Sequence, residues 1–242
     1  MIPKRITNQT ILQNSTWKGI AEQVKDLWDK DYYITDFDCG EGLYRVVMSK
    51  GTGWNSQRII TEVFFPEDEI KKWMDKGYSI TSVSNDGLDW VIIMTGINEV
   101  SNQCFIREYS YDDLKEKIKK YWDKGYTVSC IAEDGYLEEY ICVFSKSNYH
   151  GQGYVYLPRH FNIKEMENFK KSDGYLITEI ANFNGKGLFC VASSGTGFSQ
   201  QKIHREETWD RMAELTQNRW REGYNITTID YYDGEWYAIF SK

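Results

Sequence analysis

Proline is nearly absent, with 3 residues in 242, and no Gly-, Ser- or Pro-rich run is long enough to act as a flexible linker. Together with an ordinary 41% hydrophobic and 27% charged composition, this excludes disordered, collagen-like and coiled-coil organisation. Histidine occurs only at His150, His160 and His204, in three different contexts, so no metal site and no cofactor are expected. The five cysteines are odd in number and include no Cys-x-x-Cys pair. They lie in apolar runs such as Ile141-Cys142-Val143-Phe144 and read as small hydrophobes in a reducing, cytoplasmic compartment. Basic charge is also scarce: 29 Lys and Arg against 36 Asp and Glu give a net charge of −7. The one Lys-rich stretch, 115–124, is interrupted by Glu116 and Asp123 and reads as a solvated helix face, so nucleic acid is not an expected partner. No apolar run reaches membrane-spanning length, and the opening Met1-Ile2-Pro3-Lys4-Arg5 has no apolar signal core, so no membrane partner is expected either.

What the chain has instead is repetition. Trp73-Met74-Asp75-Lys76-Gly77-Tyr78 aligns with Trp122-Asp123-Lys124-Gly125-Tyr126 and with Trp220-Arg221-Glu222-Gly223-Tyr224. Degenerate copies occur at Trp28 to Tyr32 and at Asp173-Gly174-Tyr175. The marker tyrosines 32, 78, 126, 175 and 224 are 46, 48, 49 and 49 residues apart. Ahead of each marker, apolar residues recur at helical spacing, as at Trp17, Ile20, Val24, Leu27 and Trp28. Behind it, an alternating strand leads through turns such as Asn85-Asp86-Gly87 to a continuously apolar strand such as Trp90-Val91-Ile92-Ile93-Met94. A Gly-rich turn and a third strand, as at Gln57 to Val63, complete the expected unit of helix, strand, strand, strand.

The last unit stops at Lys242 after its second strand, whereas a spare segment, Asn8-Gln9-Thr10-Ile11-Leu12, precedes the first helix. The expected fold is therefore an α+β repeat closed into a five-fold, propeller-like ring. Residues 1–12 would complete the last unit, with units near 13–61, 62–108, 109–157, 158–205 and 206–242, all in one domain. Both a β-propeller with a helical outer layer and an α/β propeller satisfy this pattern. A closed ring with this charge is expected to be a monomer.

The run Val46-Val47-Met48-Ser49-Lys50-Gly51-Thr52-Gly53-Trp54, ending at Gln57, with the Gly-Tyr-x-Ile-Thr corner, resembles repeats at the C-terminal end of plant casein-kinase-I-like kinases. It also resembles an uncharacterised bacterial domain family, some members of which are fused to caspase-like peptidases. The resemblance implies a repeat module and carries no activity. Kinase motifs are missing, and Asp36-Phe37-Asp38 is not Asp-Phe-Gly.

The candidate site residues come from the turns after the apolar strands: Lys50, Thr52 and Trp54 in the first unit, Lys146, Tyr149 and His150 in the third, Thr196 and Phe198 in the fourth. Glycine-exposed N–H groups, cations and aromatic planes there would suit a small anionic or aromatic ligand, a peptide or a protein. The same turns can equally be tight links with an aromatic tucked onto the next unit. The recurring glutamines 9, 57, 103, 152 and 201 are expected to bond the adjacent sheet, and the helix-end tryptophans to enter the core. The expected function is a non-enzymatic ligand- or protein-binding scaffold or sensor. A glycan-binding ring and a pentein-like enzyme with an axial Cys–His–carboxylate site are the alternatives.

Overall fold

The Gly-Tyr corner of each repeat is a helix end in the computed structural model, which describes residues 5–97, 102–147, 149–170, 174–183 and 187–242. Gly125 there has φ +73°, the left-handed conformation that ends a helix at little cost for glycine. In the first unit Asp31 takes the same role at φ +60°. Helix starts follow the expected chemistry: Thr16 and Ser110 are extended and accept the N–H groups of Gly19 and Asp113 at 3.1 and 3.4 Å.

Five units follow one another, each with the order strand, helix, strand, strand. The first is β1 (Asn8–Asn14), α1 (Trp17–Trp28), β2 (Tyr32–Gly40) and β3 (Leu43–Lys50). The second is β4 (Trp54–Glu62), α2 (Glu67–Met74), β5 (Tyr78–Asn85) and β6 (Trp90–Ile97). The third is β7 (Gln103–Glu108), α3 (Tyr111–Asp123), β8 (Thr127–Asp134) and β9 (Glu139–Ser145). The fourth is β10 (Gly151–Pro158), α4 (Ile163–Lys170), β11 (Leu176–Phe183) and β12 (Gly187–Ser194). The fifth is β13 (Gln201–Glu206), α5 (Trp209–Arg221), β14 (Asn225–Tyr232) and β15 (Glu235–Ser241). Every sheet is a three-stranded antiparallel sheet with the last strand of its unit in the middle, in the order β1-β3-β2 and its four equivalents.

This corrects the expected role of the N-terminal segment. Residues 8–14 do not complete the last unit. They pair with β3, Asn8 opposite Lys50 and Asn14 opposite Tyr44, while β15 has its own partner in β13, Gln201 opposite Ser241. The strand read as the third of each unit is the first of the next, so the unit order and the unit limits shift by one strand. The reason is local. The Gly-rich link 51–53 looks like a hairpin turn, yet β4 turns away from β3 and pairs with β6, Arg58 opposite Met94. Residues 1–4 and Asp173 lie outside the described residues.

The second strand of every unit carries a β-bulge, between Ile34 and Asp36, Ile80 and Ser82, Val128 and Cys130, Ile177 and Glu179, and Ile226 and Thr228. A bulge adds a residue and reverses the sheet face of everything after it. Simple alternation puts Ile80 and Ser82 on one face. With the bulge, Ile80 and Val83 both enter the core, and Ser82 instead bonds Asp36 of the first unit at 3.0 Å. The extra residue's hydroxyl holds the bulge to the middle strand, as in Thr35 to Ser49 (2.7 Å) and Thr81 to Thr95 (2.7 Å).

Helices fill the space between successive sheets. Trp17, Ile20 and Val24 of α1 pack with Phe37 and Met48 of their own sheet and with Val91 and Ile93 of the next. The same arrangement recurs down the chain, and Trp209 and Met212 of α5 share a core with Val47 of the first unit. The Arg45 guanidinium lies 5.0 and 5.6 Å from the rings of Trp209 and Trp236, and Glu41 accepts from the Trp236 indole at 2.8 Å. The bulk of each unit's core is thus completed by its neighbour, which is why one unit alone would not suffice for a fold.

Glutamine clasps the units together. Gln57 accepts the Ile34 N–H at 2.7 Å and the Trp28 indole N–H at 3.2 Å, and donates to the Ile34 carbonyl (2.7 Å) and Thr95 (3.0 Å). Gln103, Gln152 and Gln201 bond Ile80, Val128 and Ile177 in the same two-ended way. Gln9 does so with Ile226, 217 residues away, at 2.8 Å at both ends. These side chains mimic a strand at the bulge, where no backbone of the neighbouring sheet reaches.

Candidate functional site

The second strands β2, β5, β8, β11 and β14 lie beside one another, with β14 in contact with both β11 and β2. They wall a cavity of about 540 Å³ whose lining extends to the hairpin turns at Gly87 and Tyr136. Residues just after the bulges are equivalent by position, yet they differ from unit to unit: Asp36, Ser82, Cys130, Glu179 and Thr228, and two residues on Asp38, Ser84, Ala132, Ala181 and Asp230. With Asp86 and Glu133, six carboxyl groups therefore border one space, and among the described residues no Lys, Arg or His lines it.

Part of this acidity is structural. The second strands are edges of their sheets, and their outward N–H groups need acceptors. Asp36 accepts from Ile229 N–H (2.8 Å) and the Ser82 hydroxyl (3.0 Å), and Asp38 from Tyr231 N–H (2.6 Å) and the Ser84 hydroxyl (3.0 Å). Asp230 accepts Asn182 N–H at 3.0 Å through Oδ2, whereas its buried Oδ1 has no hydrogen-bond partner. Asparagine or serine could serve an edge N–H without burying charge.

Burial raises Asp36, Asp38, Glu179 and Asp230. Asp38 is pushed up to about 7, with Asp36 adding a repulsive contribution against opposing hydrogen bonds. Asp36 is raised by burial, and Glu179 and Asp230 are raised well above the usual carboxylate range, with the chain's N-terminal amino group acting in the opposite direction on Asp36 and Glu179. For Asp230 burial leads and the nearby Asp38 follows. Buried carboxyl groups that repel one another favour their protonated forms, and a positive charge beside them reverses that preference. Among the described residues no group of three or more His, Cys, Asp and Glu is arranged as a metal site. Burial likewise pushes the Cys39 and Cys130 thiols to about 12, so both stay protonated and neither is primed as a nucleophile. All five cysteines are free.

The residues singled out from sequence stand at the opposite end of the sheets. Lys50 Nζ lies 5.8 Å from the Tyr32 ring. Lys146 donates to the Lys124 carbonyl at the end of α3 and lies 4.4 Å from the Tyr126 ring. Thr52 and Trp54 are buried, with the Thr52 hydroxyl accepting Trp54 N–H at 3.2 Å, and Thr196 accepts Phe198 N–H at 3.3 Å in the same way. His150 is exposed, its N–H on the Ser194 carbonyl at 3.1 Å. Tyr149 is half-buried. Burial, then Glu179 and Cys130 nearby, lifts its phenol to about 12, so of these eight residues it is the one in electrostatic reach of the cavity's acids. The second unit's turn, 98–101, and Asn148 lie outside the described residues. His204 accepts from Arg219 at 3.0 Å and is driven down to about 4 by burial and by that cation, and His160 pairs with Asp233 at 3.3 Å.

Sequence reading passed over the cavity's acids. The signal was present in the aligned bulges, where the residue after Ile-Thr is an acid in two units and uncharged in three, but an unrecognised bulge hides which face that residue takes.

Fold and cavity together define a five-unit α+β repeat protein with an acidic cavity walled by one strand from each unit. The chain belongs to the family described as Domain of unknown function (DUF7477), whose model matches residues 6–152, the first three units and the start of β10. No curated protein matches the chain. No helix among the described residues is long and apolar enough to cross a membrane.

Proposed function

We propose that the five units close into a propeller-like ring and that the protein is a non-enzymatic recognition module whose axial cavity takes an organic cation, an ammonium or guanidinium group. Closure is supported by the junction of the first and fifth units, which uses the same glutamine clasp and the same helix-between-sheets core as the other four. Helices sandwiched between neighbouring sheets favour the α/β form of propeller.

The observation that carries the binding reading is the cavity's excess of acid, six lining carboxyl groups against the single charge of the N-terminal amino group. Asp36, Asp38, Asp86, Glu133, Glu179 and Asp230 share it, no Lys, Arg or His among the described residues lines it, and Asp230 Oδ1 is buried and unbonded. A guanidinium or ammonium group supplies several donors and one positive charge. The volume, about 540 Å³, lies in the usual range of small-ligand sites. Net charge −7 would steer such a ligand inward.

The test is a thermal-shift and calorimetric titration with agmatine, n-butylguanidinium and n-butylamine, with n-butanol and calcium chloride as controls. The organic cations should raise the melting temperature and the alcohol should not. Asp230→Asn and Asp38→Asn should each weaken binding at least tenfold. No shift with any organic cation at 10-millimolar order, or binding indifferent to both substitutions, refutes the reading.

A further inference from the structure

The large hydrophobic side chains exposed among the described residues are Val63, Phe64, Leu88, Tyr109, Tyr136 and Leu137. Register places all of them at one end of the sheets. Leu88 lies in the β5–β6 turn and Tyr136 and Leu137 in the β8–β9 turn. Val63 and Phe64 follow Glu62, which pairs with Trp90 at the start of β6, and Tyr109 follows Glu108, which pairs with Tyr140 at the start of β9. The acidic cavity extends to this end, where Gly87 and Tyr136 form part of its wall. Leu88 and Leu137 are the next residues in the chain.

Scattered surface hydrophobes are ordinary, whereas confinement to one end of two adjacent units is the mark of a contact surface. Phe64 is 72% exposed, Leu88 80% and Tyr136 89%. The other three units contribute none of these side chains, so the patch is lopsided around the cavity mouth.

We propose that the ligand is a segment of a partner protein that inserts an arginine or lysine into the axial cavity and lays apolar neighbours across Phe64, Leu88 and Tyr136. This rests on the cation-binding reading above and goes further by naming the occupant. Charge complementarity selects it: an acidic cavity beside an apolar shelf matches a basic residue flanked by apolar ones. A second copy of this acidic chain would bring more negative charge to the mouth, and an anionic membrane would be repelled. The apolar shelf would act as the rim that excludes water around a buried charged anchor.

The experiment is selection of a displayed random heptapeptide library on the intact protein, followed by binding of the synthetic consensus peptide measured by fluorescence anisotropy. The expected consensus has an arginine or lysine with at least two apolar neighbours and binds at least tenfold more tightly than agmatine. Replacing that residue by citrulline or norleucine should abolish binding. The double variant Phe64→Ser, Leu88→Ser, altered only at exposed sites, should bind the peptide at least tenfold more weakly and agmatine unchanged. Agmatine binding without any tighter basic-apolar consensus overturns the docking surface and leaves the cavity reading intact, whereas absent agmatine binding refutes both. Self-association in sedimentation velocity that Phe64→Ser, Leu88→Ser abolishes, or flotation with neutral phosphatidylcholine vesicles, would assign the shelf to another occupant and overturn the proposal.

Discussion

Replacing Gln9 by leucine tests how the first unit is held to the fifth. The side chain is 6% exposed, and its amide accepts from Ile226 N–H (2.8 Å) and the Trp220 indole (3.0 Å) while donating to the Ile226 carbonyl (2.8 Å) and Ser49 (2.9 Å). Leucine fills similar volume but leaves the two Ile226 backbone groups and the indole N–H without partners. Each buried group left unsatisfied costs about 1–3 kcal/mol, which sets a ceiling of about 9 kcal/mol. Trp220 is half-buried, so water can reach its indole, and Ser49 keeps its bond to Thr35. The expected loss is therefore about 2–4 kcal/mol, a large share of the 5–15 kcal/mol typical of folded proteins. Urea unfolding followed by tryptophan fluorescence measures it, with an unchanged m-value expected. Gln57→Leu, which breaks the equivalent clasp between units one and two, should cost the same. A Gln9→Leu loss below about 0.5 kcal/mol, within the range of a surface substitution, beside a full loss for Gln57→Leu would show that the first unit is not clasped to the fifth.

Three further outcomes are expected. Asp38 holds its proton to about pH 7 in the fold against about 3.9 in the unfolded chain, so its contribution is complete below about pH 4 and is lost as pH rises through about 7. The urea midpoint should fall between pH 5 and pH 8, and Asp38→Asn should flatten that fall; a rising midpoint, or an unchanged slope in the variant, contradicts the burial of these acids. Asp31→Gly should stabilise by about 0.5 kcal/mol by relieving a left-handed aspartate, and destabilisation in the same urea assay would contradict its reading as a helix-ending corner. Lys146→Met should cost about 0.5–1 kcal/mol through the lost bond to the end of α3 while leaving agmatine binding unchanged; loss of agmatine binding in the folded variant would move the site to the turn face.

The repeat, its helices, the Gly-Tyr corner and the linking glutamines were legible in the sequence because each is set by local chemistry: a period of 3.6, a positive φ, an amide opposite a bulge. The phase of the unit was not. Turns 41–42 and 51–53 are both short and contain glycine, but only the first closes a hairpin, because β4 finds its partner in β6, from Glu62 opposite Trp90 to Trp54 opposite Ile97. Pairing of that kind is decided by which sheet the helix α2 covers, and no turn residue reports it. The cavity was hidden for a related reason. Asp36 and Asp38 look like irregular polar positions in an alternating strand until the bulge at Thr35 turns them away from the core.

A repeat protein separates its structural residues from its functional ones by their symmetry. A feature needed to hold units together must recur in all of them, and here the clasping glutamine and the hydroxyl residue at the bulge do recur five times. The residue just after the bulge occupies the same backbone position in each unit and carries no such uniformity: two acids, a serine, a threonine and a cysteine. If these side chains served only to satisfy the edge N–H groups of the next strand, one residue type would suit all five places. Selection for stability would also avoid buried carboxyls whose pKa values are raised, since each is a destabilising feature at neutral pH. Their retention on three strands, around a cavity that no Lys, Arg or His among the described residues lines, is the departure from repeat symmetry on which the proposed binding site rests. The exposed hydrophobes break the symmetry at the same end and in two of the five units, so both departures from the repeat point to one mouth.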